Sequence, residues 1–200
     1  QNIKCIVLTS RNGFFEKCII AAAQASSIPL IVVQHGMGMG PSDPELFPGM
    51  KIAVFGEVYK KILQRWKINE EDVVITGPIS FEDIHGFVQK KQEKTEKILF
   101  ITDQYIEENY ISKKEYFQKI EVILIQLQLL GKEIIVKLHP VEKHLAEYRS
   151  LVERKKWKNI TITQERGSAI LYNLINDSDL VVNSYSTVAL EAMILGKPIL

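Results

Sequence analysis

Apolar and polar positions along the 200-residue chain follow two alternating patterns. Short, nearly continuous apolar runs are typical of buried parallel strands, and longer segments with apolar positions three or four residues apart are typical of helices. In the first part of the chain these segments are IKCIVLTS, GFFEKCIIAAAQASS, IPLIVVQHG, KIAVFG, EVYKKILQRW and EDVVITG. This order of strands and helices predicts a doubly wound α/β unit.

The alternation resumes after a polar stretch that ends in QKKQEKTEK. The later segments are KILFIT, KKEYFQKIEVILIQLQLLG, KEIIVKLHP, EKHLAEYRSLVERKK, NITITQ, SAILYNLINDS, DLVVNS, TVALEAMILG and KPIL. We therefore expect an α/β protein with two Rossmann-like units, residues 1–80 and 96–200, joined by a linker at 81–95, although a solvated helix face is the alternative for the linker. Because GKPIL predicts a turn and the start of another buried strand, we also expect a fragment cut at both ends.

Composition, with 46% hydrophobic and 24% charged residues, is that of an ordinary globular protein. A net charge of +1 gives no reason to expect nucleic acid as a partner. No run approaches the roughly 18 apolar residues that cross a bilayer. Cys5 and Cys18 lie in apolar patterns, so we expect buried, reduced thiols, which fits a cytoplasmic protein.

Polar residues with chemical potential follow the predicted strands. Ligands of open parallel sheets bind outside the carboxyl ends of the strands. In chain order, the residues at these ends are His35, Gly36, Gly38, Thr102, Asp103, His139, Ser184, Tyr185, Ser186 and Thr187. The sequence therefore predicts a ligand site at this end.

The helix TVALEAMILG has features of an anion site. Ser186 is its predicted N-cap, but Ala189 stands where a capping box needs Glu or Gln. We therefore expect unpaired N–H groups beside the hydroxyls of Ser186 and Thr187, which suits phosphate, with a plain hydrated cap as the alternative. Glu191 is the lone charge of this apolar helix and needs a partner, either a ribose hydroxyl or a Lys or Arg.

Two histidines are candidates for proton transfer. His139 ends a predicted strand and could donate to a phosphate or leaving oxygen, with Lys137 adding charge on the same face. His35 adjoins Gly36 and Gly38, whose backbone can approach a ligand closely, and is a candidate general base. Purely structural histidines are the alternative in both cases. No metal-binding motif such as HExxH or CxxC is present, so no metal site is predicted.

Taken together, several motifs resemble one family. They are VVQHG, VVITGP, KILFIT, IIVKLHP and DLVVNSYSTVALEAMILGKPI, in this order. The chain resembles the GT-B-type transferases of surface-polysaccharide synthesis: the CDP-glycerol glycerophosphotransferases, the bacterial polysialyltransferases and the capsule Kdo transferases. Non-hydrolysing UDP-N-acetylglucosamine 2-epimerases are more distant look-alikes. The resemblance covers nearly the whole chain and implies the end of an acceptor domain followed by most of a nucleotide domain.

The resemblance implies a role for each matching residue. His35 would be the acceptor-activating base, His139 would contact the donor phosphate, Ser186 and Thr187 would hold the phosphates, and Glu191 would lie near the ribose. We also expect nucleotide or phosphate contacts from Thr102, Lys137 and Ser184.

The implied activity is metal-independent transfer of a glycosyl or glycerophosphoryl group, without a cofactor, from a CMP-, CDP- or UDP-linked donor to a glycan or lipid-linked acceptor. Leu138 stands where glycerophosphotransferases usually have arginine, which disfavours a glycerophosphate donor. An epimerase, which would need extra carboxylates such as Asp103, and a non-catalytic nucleotide-binding module are the alternatives. The Lys-rich stretches QKKQEKTEK and ERKKWK suit a solvated helix face better than a peripheral contact with anionic lipid at the inner face of the membrane.

Overall fold

The structure is a computed structural model that describes residues 3–11, 13–36, 49–87, 96–184 and 186–200. The chain forms two compact units, Gln1–Glu82 and Asp83–Leu200. Each unit has one parallel, four-stranded sheet in the described residues. The α/β class predicted from the apolar pattern is therefore confirmed.

The described part of the first unit alternates strands and helices. In chain order these are β1 (Ile6–Leu8), α1 (Phe14–Ala25), β2 (Leu30–Val33), β3 (Met50–Val54), α2 (Glu57–Arg65) and β4 (Val73–Ile75). Neighbouring strands are parallel, in the spatial order β1-β2-β3-β4. A short 3-10 helix, Glu70–Asp72, precedes β4.

Apolar side chains of these strands pack against one side of each helix. Ala23 of α1 packs with Leu30 and Met50, and Leu63 of α2 packs with Val54. Leu30, Val54 and Leu63 are fully buried. Since burial of one large aliphatic side chain contributes roughly 2 kcal/mol, these contacts are the main stabilising term of the unit.

The prediction that both cysteines are buried is wrong. Cys5 and Cys18 are exposed, free thiols. Cys5 precedes β1, which is at one end of the strand order, and Cys18 lies five positions before Ala23 on α1. Five residues turn a helix by about 140° relative to the buried side, so this position points away from the sheet.

The second unit contains the following elements in its described residues: β5 (Lys97–Ile101), α3 (Lys113–Gln128), β6 (Glu133–Lys137), α4 (Leu145–Lys155), β7 (Ile160–Thr163), α5 (Ser168–Asp177), β8 (Leu180–Asn183) and α6 (Val188–Ile194). The strands are parallel in the order β7-β6-β5-β8. The central strand β5 therefore has β6 on one side and β8 on the other.

Helix α3 covers this sheet and has clear signals at both ends. The Ser112 side chain accepts a hydrogen bond from the Glu115 N–H at 3.3 Å, as an N-cap does. Gly131, which was predicted to end the helix, follows it with a φ of +66°. This conformation favours glycine. Tyr116 and Leu124 of α3 pack into the main core cluster of the unit.

The predicted linker at 81–95 lies only partly within the described residues. Residues Ile79–Gly86 form a 3-10 helix, and residues 88–95 of the predicted linker lie outside the described residues. The boundaries at residues 80 and 95 stay predictions. In the predicted last strand, Ile199 forms a parallel bridge with Val181. Among the described residues, no helix is both long enough and apolar enough to cross a membrane.

Candidate functional site

The carboxyl ends of β5, β6 and β8 form one edge of the second sheet, here called the carboxyl edge. Because β5 pairs in register with both neighbours, the residues that follow the three strands come together. The His139 N–H donates to Thr102 Oγ1 at 3.2 Å, and the Ser184 hydroxyl donates to the Asp103 carboxylate. The structure thus brings Thr102, His139 and Ser184 to one place.

A buried carboxylate that the sequence did not single out lies at this edge. Glu142 is only 3% exposed, in the loop between β6 and α4. The Thr102 hydroxyl donates to Glu142 Oε2, and the His139 N–H donates to the same oxygen at 2.8 Å. The Tyr148 hydroxyl donates to Oε1 at 2.9 Å, and the Tyr116 hydroxyl lies 3.4 Å from it. These five residues are called the Glu142 cluster.

The two tyrosines of the cluster act as hydrogen-bond donors. Burial, and then the negative charge of Glu142, raise the pKa of both hydroxyls well above the usual value. The Tyr116 hydroxyl also donates to the Asp103 carbonyl at 3.0 Å. Burial raises the pKa of Glu142 itself, while its hydrogen bonds with Thr102, His139 and Tyr148 act in the opposite direction.

His139 is half-buried and neutral near pH 7. Burial lowers the pKa of its imidazole, and the nearby Asp103 carboxylate opposes this shift. The Val141 N–H donates to Nδ1 at 3.4 Å. A neutral imidazole that accepts at Nδ1 carries its hydrogen on Nε2, so His139 can donate this hydrogen to a ligand oxygen.

Lys137 is buried at the end of β6. Its Nζ donates to the Leu138 carbonyl at 2.8 Å. Burial lowers the pKa of this ammonium group, and the charges of Glu142 and Glu165 partly offset the effect. The expected phosphate contact of Lys137 stays a prediction, because the hydrogen bond found here is made with the protein backbone.

The start of α6 differs from the prediction. The N-cap is Thr187 rather than Ser186, and the helix has seven residues. The Ser186 hydroxyl accepts from the Val188 N–H at 3.4 Å, and the Ala189 N–H donates to the Ser186 carbonyl at 3.2 Å. The Leu190 N–H donates to the Thr187 carbonyl at 2.9 Å. The expectation of unpaired N–H groups is therefore wrong for Val188, Ala189 and Leu190, because the Ser186 side chain pairs the first and tight local turns pair the other two.

Glu191 of α6 is buried, and no charged partner for it is found among the described residues. The side chain is 8% exposed, and its Oε2 has no hydrogen-bond partner among the described residues. Burial raises the pKa of this carboxyl to about 7. The Lys or Arg ion pair that the sequence left open is not found in the described part of the chain. A hydroxyl-bearing ligand could supply the missing partner.

His35 follows β2 in the first unit and is exposed. The neighbouring Gln34 is buried, and its amide donates to the Gly36 carbonyl at 2.8 Å and accepts from the Phe55 N–H at 2.9 Å. Gln34 thus ties the backbone after His35 to the end of β3, a role that the sequence analysis missed. Gly38 and Tyr185 lie outside the described residues.

A cavity of about 330 Å³ opens beside Asp103 and Ser184. Its walls are mostly apolar and come from β5 and α3, with Tyr105 and Tyr116 among them. This volume is within the usual range for small-molecule sites. Within the described residues, no group of three His, Cys, Asp or Glu side chains could hold a metal ion.

No protein-family model matches the sequence, and no curated protein matches it. Several solved structures match 98% of the chain. A UDP-GlcNAc 2-epimerase from Neisseria meningitidis bound to UDP-GlcNAc has a TM-score of 0.67 and 15% identity, with 58% of its chain covered. The Methanocaldococcus jannaschii UDP-GlcNAc 2-epimerase, in complex with UDP-GlcNAc and UDP, has a TM-score of 0.64 and 20% identity, again with 58% covered.

The wall teichoic acid polymerase TagF also matches, with a TM-score of 0.51, 13% identity and 53% of its chain covered. The chain therefore has the fold of these GT-B-type proteins, as the motif resemblance implied, and spans little more than half of their length. At these identities the likeness shows the fold.

Proposed function

We propose that the chain is part of a GT-B-type enzyme that transfers a glycosyl or glycerophosphoryl group from a nucleotide-activated donor to a glycan or lipid-linked acceptor. The observation that carries the proposal is Glu191. A buried carboxyl with one unpartnered oxygen on the helix that follows β8 is what a ribose hydroxyl would complete. The solved structures in complex with UDP or UDP-GlcNAc support a nucleotide as the ligand.

In this proposal the residues of the second unit bind the donor. The Nε2–H of His139 donates to the donor phosphate and stabilises the charge that develops on the departing nucleotide. The hydroxyls of Ser186 and Thr187 contact the same phosphates as side chains, since the nearby N–H groups are already paired. Glu191 orients the ribose. His35, on the acceptor side, takes the proton of the attacking hydroxyl.

The contacts found at the carboxyl edge assign different parts to the remaining predicted residues. The Thr102 hydroxyl is bound to Glu142, so we propose that it supports the loop rather than the phosphate. Lys137 contributes positive charge at a distance. The Ser184 hydroxyl is bound to Asp103 and can exchange this partner for a ligand oxygen.

A thermal-shift screen against CMP, CDP, UDP, GDP and ADP tests the donor site. A ligand at about 100 times its Kd adds roughly 2.7 kcal/mol of stability, which gives a clear increase in Tm. We expect a selective shift with a cytidine or uridine nucleotide that is lost in Glu191→Ala and His139→Ala. A chain that responds to none of them, or equally to all, would overturn the donor site.

A 2-epimerase is the second candidate, because Asp103 provides a carboxylate beside the cavity at the carboxyl edge. Proton transfer at carbon needs such a group near the sugar. Incubation of UDP-N-acetylglucosamine with the longer protein that contains this chain, followed by chromatography, separates the candidates. Formation of the epimer without an acceptor favours the epimerase, and transfer of the sugar only when an acceptor glycan is added favours the transferase. Binding without either reaction indicates a nucleotide-binding module.

A further inference from the structure

We infer that Glu142 is the positioning residue of the donor site: its carboxylate holds the turn after β6 closed, so that the His139 imidazole is presented to a ligand at the carboxyl edge. The inference deepens the proposed function and rests on it.

Hydrogen bonds between Glu142 and His139 close this turn from both sides. The His139 N–H donates to Glu142 Oε2 at 2.8 Å, and the Glu142 N–H donates to the His139 carbonyl at 3.1 Å. Within the turn, the Val141 N–H donates to His139 Nδ1 at 3.4 Å. The backbone and the ring orientation of His139 therefore both depend on the same four-residue turn.

The carboxylate of Glu142 is in turn fixed by three separate elements. Thr102 donates from the end of β5, Tyr148 donates from α4 at 2.9 Å, and Tyr116 approaches from α3 at 3.4 Å. The hydroxyl oxygens of Tyr148 and Tyr116 lie 3.1 Å apart. Glu142 thus connects the position of His139 to the sheet and to helices α3 and α4.

The chemistry of the position argues against a purely space-filling role. A buried carboxylate is costly, and an apolar side chain of similar volume is often as stable or more stable. Such a side chain could not accept from the His139 N–H. A residue with two acceptor oxygens is needed only if the turn must keep this geometry.

The test uses three variants of the 200-residue chain and one matched control. Glu142→Ala removes both acceptors, and Glu142→Gln keeps the shape and one acceptor oxygen. Asp179→Asn is the control, because Asp179 is also a buried carboxylate that accepts backbone N–H groups, at the other end of β5. Should Glu142→Ala prove unfolded by circular dichroism, Glu142→Asp replaces it, since the shorter side chain cannot reach the His139 N–H.

The first readout is the titration of the His139 ring by NMR, with its signal assigned among the four histidines by a His139→Asn variant. The wild-type chain should titrate below the usual value of 6.5. In Glu142→Ala the turn opens and water reaches the ring, so the pKa rises. Loss of the negative charge alone would lower it, and the other charges that act on the ring, Asp103, Glu107, Glu108 and Lys137, are unchanged. Glu142→Gln and Asp179→Asn should keep the wild-type value.

The second readout is the Kd for UDP and CDP by calorimetry. We expect binding at least tenfold weaker in Glu142→Ala, within threefold of wild type in Glu142→Gln, and within twofold in Asp179→Asn. A folded Glu142→Ala or Glu142→Asp variant with the wild-type histidine titration and wild-type Kd would overturn the inference and leave the proposed function intact. A wild-type chain that binds neither nucleotide would instead overturn the proposed function, and with it the donor-site role of Glu142, while the titration still decides whether Glu142 holds His139.

Discussion

Buried carboxylates lie at both ends of the second sheet, and their partners differ. At the amino end, Asp179 accepts from the N–H groups of Glu96 and Lys97 at 2.7 and 2.8 Å. At the carboxyl end, Glu142 accepts mainly from side-chain hydroxyls and from a loop N–H. Glu191 at the same end keeps an oxygen without a partner in the described part of the chain.

This difference separates a structural role from a binding role. The N–H donors at Asp179 belong to the chain at the start of β5, so this carboxylate fixes how β5 and β8 meet. The hydroxyl donors around Glu142 come from the end of β5, from α3 and from α4. Glu142 also accepts from the N–H of His139, a candidate ligand-binding residue, and so holds it in place. An unpartnered buried oxygen, as in Glu191, is unfavourable for the fold and is expected where a ligand completes it. The following substitutions test this division.

Glu142→Ala should have the largest effect on the free energy of unfolding. It removes the shortest hydrogen bond of the Tyr148 hydroxyl, the Thr102 hydroxyl and the His139 N–H, which keep only longer contacts of 3.1 to 3.4 Å. Each lost hydrogen bond to a charged group costs about 1.5–3 kcal/mol. We expect a loss of about 3 kcal/mol or more in urea unfolding, with a smaller loss in Glu142→Gln. A Trp66→Phe background lets the fluorescence of Trp157 report the second unit alone. A loss below about 1 kcal/mol would contradict the role of the cluster.

Glu191→Gln should change stability in the opposite direction, and only at higher pH. Burial raises the pKa of Glu191 to about 7 from 4.5, so the folded state keeps a proton that the unfolded state releases near pH 4.5. Stability from this group is therefore full below pH 4.5 and is lost as the pH rises to 7. At about 1.4 kcal/mol per unit, the loss is about 3 kcal/mol.

The Gln variant lacks this titration. Urea unfolding should therefore show it to be more stable than wild type at pH 8 by up to about 3 kcal/mol, and similar to wild type at pH 4.5. Equal stability at pH 8 would mean that the carboxyl has a partner in solution. The affinity of the Glu191→Gln variant for a nucleotide should fall, because the amide is a poorer acceptor for a ribose hydroxyl.

Asp179→Asn should cost about 1–2 kcal/mol in the same assay, since both N–H groups donate to the one oxygen Oδ2 and an uncharged amide oxygen in its place is a weaker acceptor. Nucleotide affinity should stay within twofold of wild type. A strong loss of binding in a folded Asp179→Asn variant would remove the distinction between the two ends of the sheet.

Glu133→Gln gives the baseline for an exposed carboxylate at the amino end. Glu133 is half-exposed and lies 3.6 Å from the Lys97 ammonium. Ion pairs of this kind contribute about 0–1 kcal/mol. We expect a change within about 0.5 kcal/mol and no dependence of nucleotide affinity on this substitution, measured by the same unfolding and calorimetric experiments.

The sheets could be predicted from sequence because their strands are short apolar runs, which are nearly continuous in central strands such as KILFI and EIIVK, where most positions are buried. The meeting of Thr102, His139 and Ser184 followed from one rule about parallel strands. The burial of Cys5 and Cys18 was predicted wrongly because an apolar neighbourhood in sequence does not say which side of a helix or which edge strand the fold leaves uncovered.

The Glu142 cluster could not be predicted, because three of its members, Tyr148, Tyr116 and Thr102, are 6, 26 and 40 positions from Glu142 in the chain. In the sequence, Glu142 looked like the first charged residue of an exposed helix, EKHLAEYRSLVERKK, whereas α4 begins at Leu145. One residue of that charged segment, the large aromatic Tyr148, indicated that part of the segment is buried. The pairing at the start of α6 was missed for a related reason, since the backbone of two local turns pairs the N–H groups of Ala189 and Leu190, and only Val188 is paired by a side chain.

The measurement that tests the central claim most directly is a nucleotide titration of the isotope-labelled chain followed by NMR. The account predicts that UDP or CDP shifts the backbone signals of Thr102, His139 and Glu191, with little change at Glu96, Lys97 and Asp179. Shifts confined to the amino end of the sheet, or spread evenly over the second unit, would contradict a donor site at the carboxyl edge.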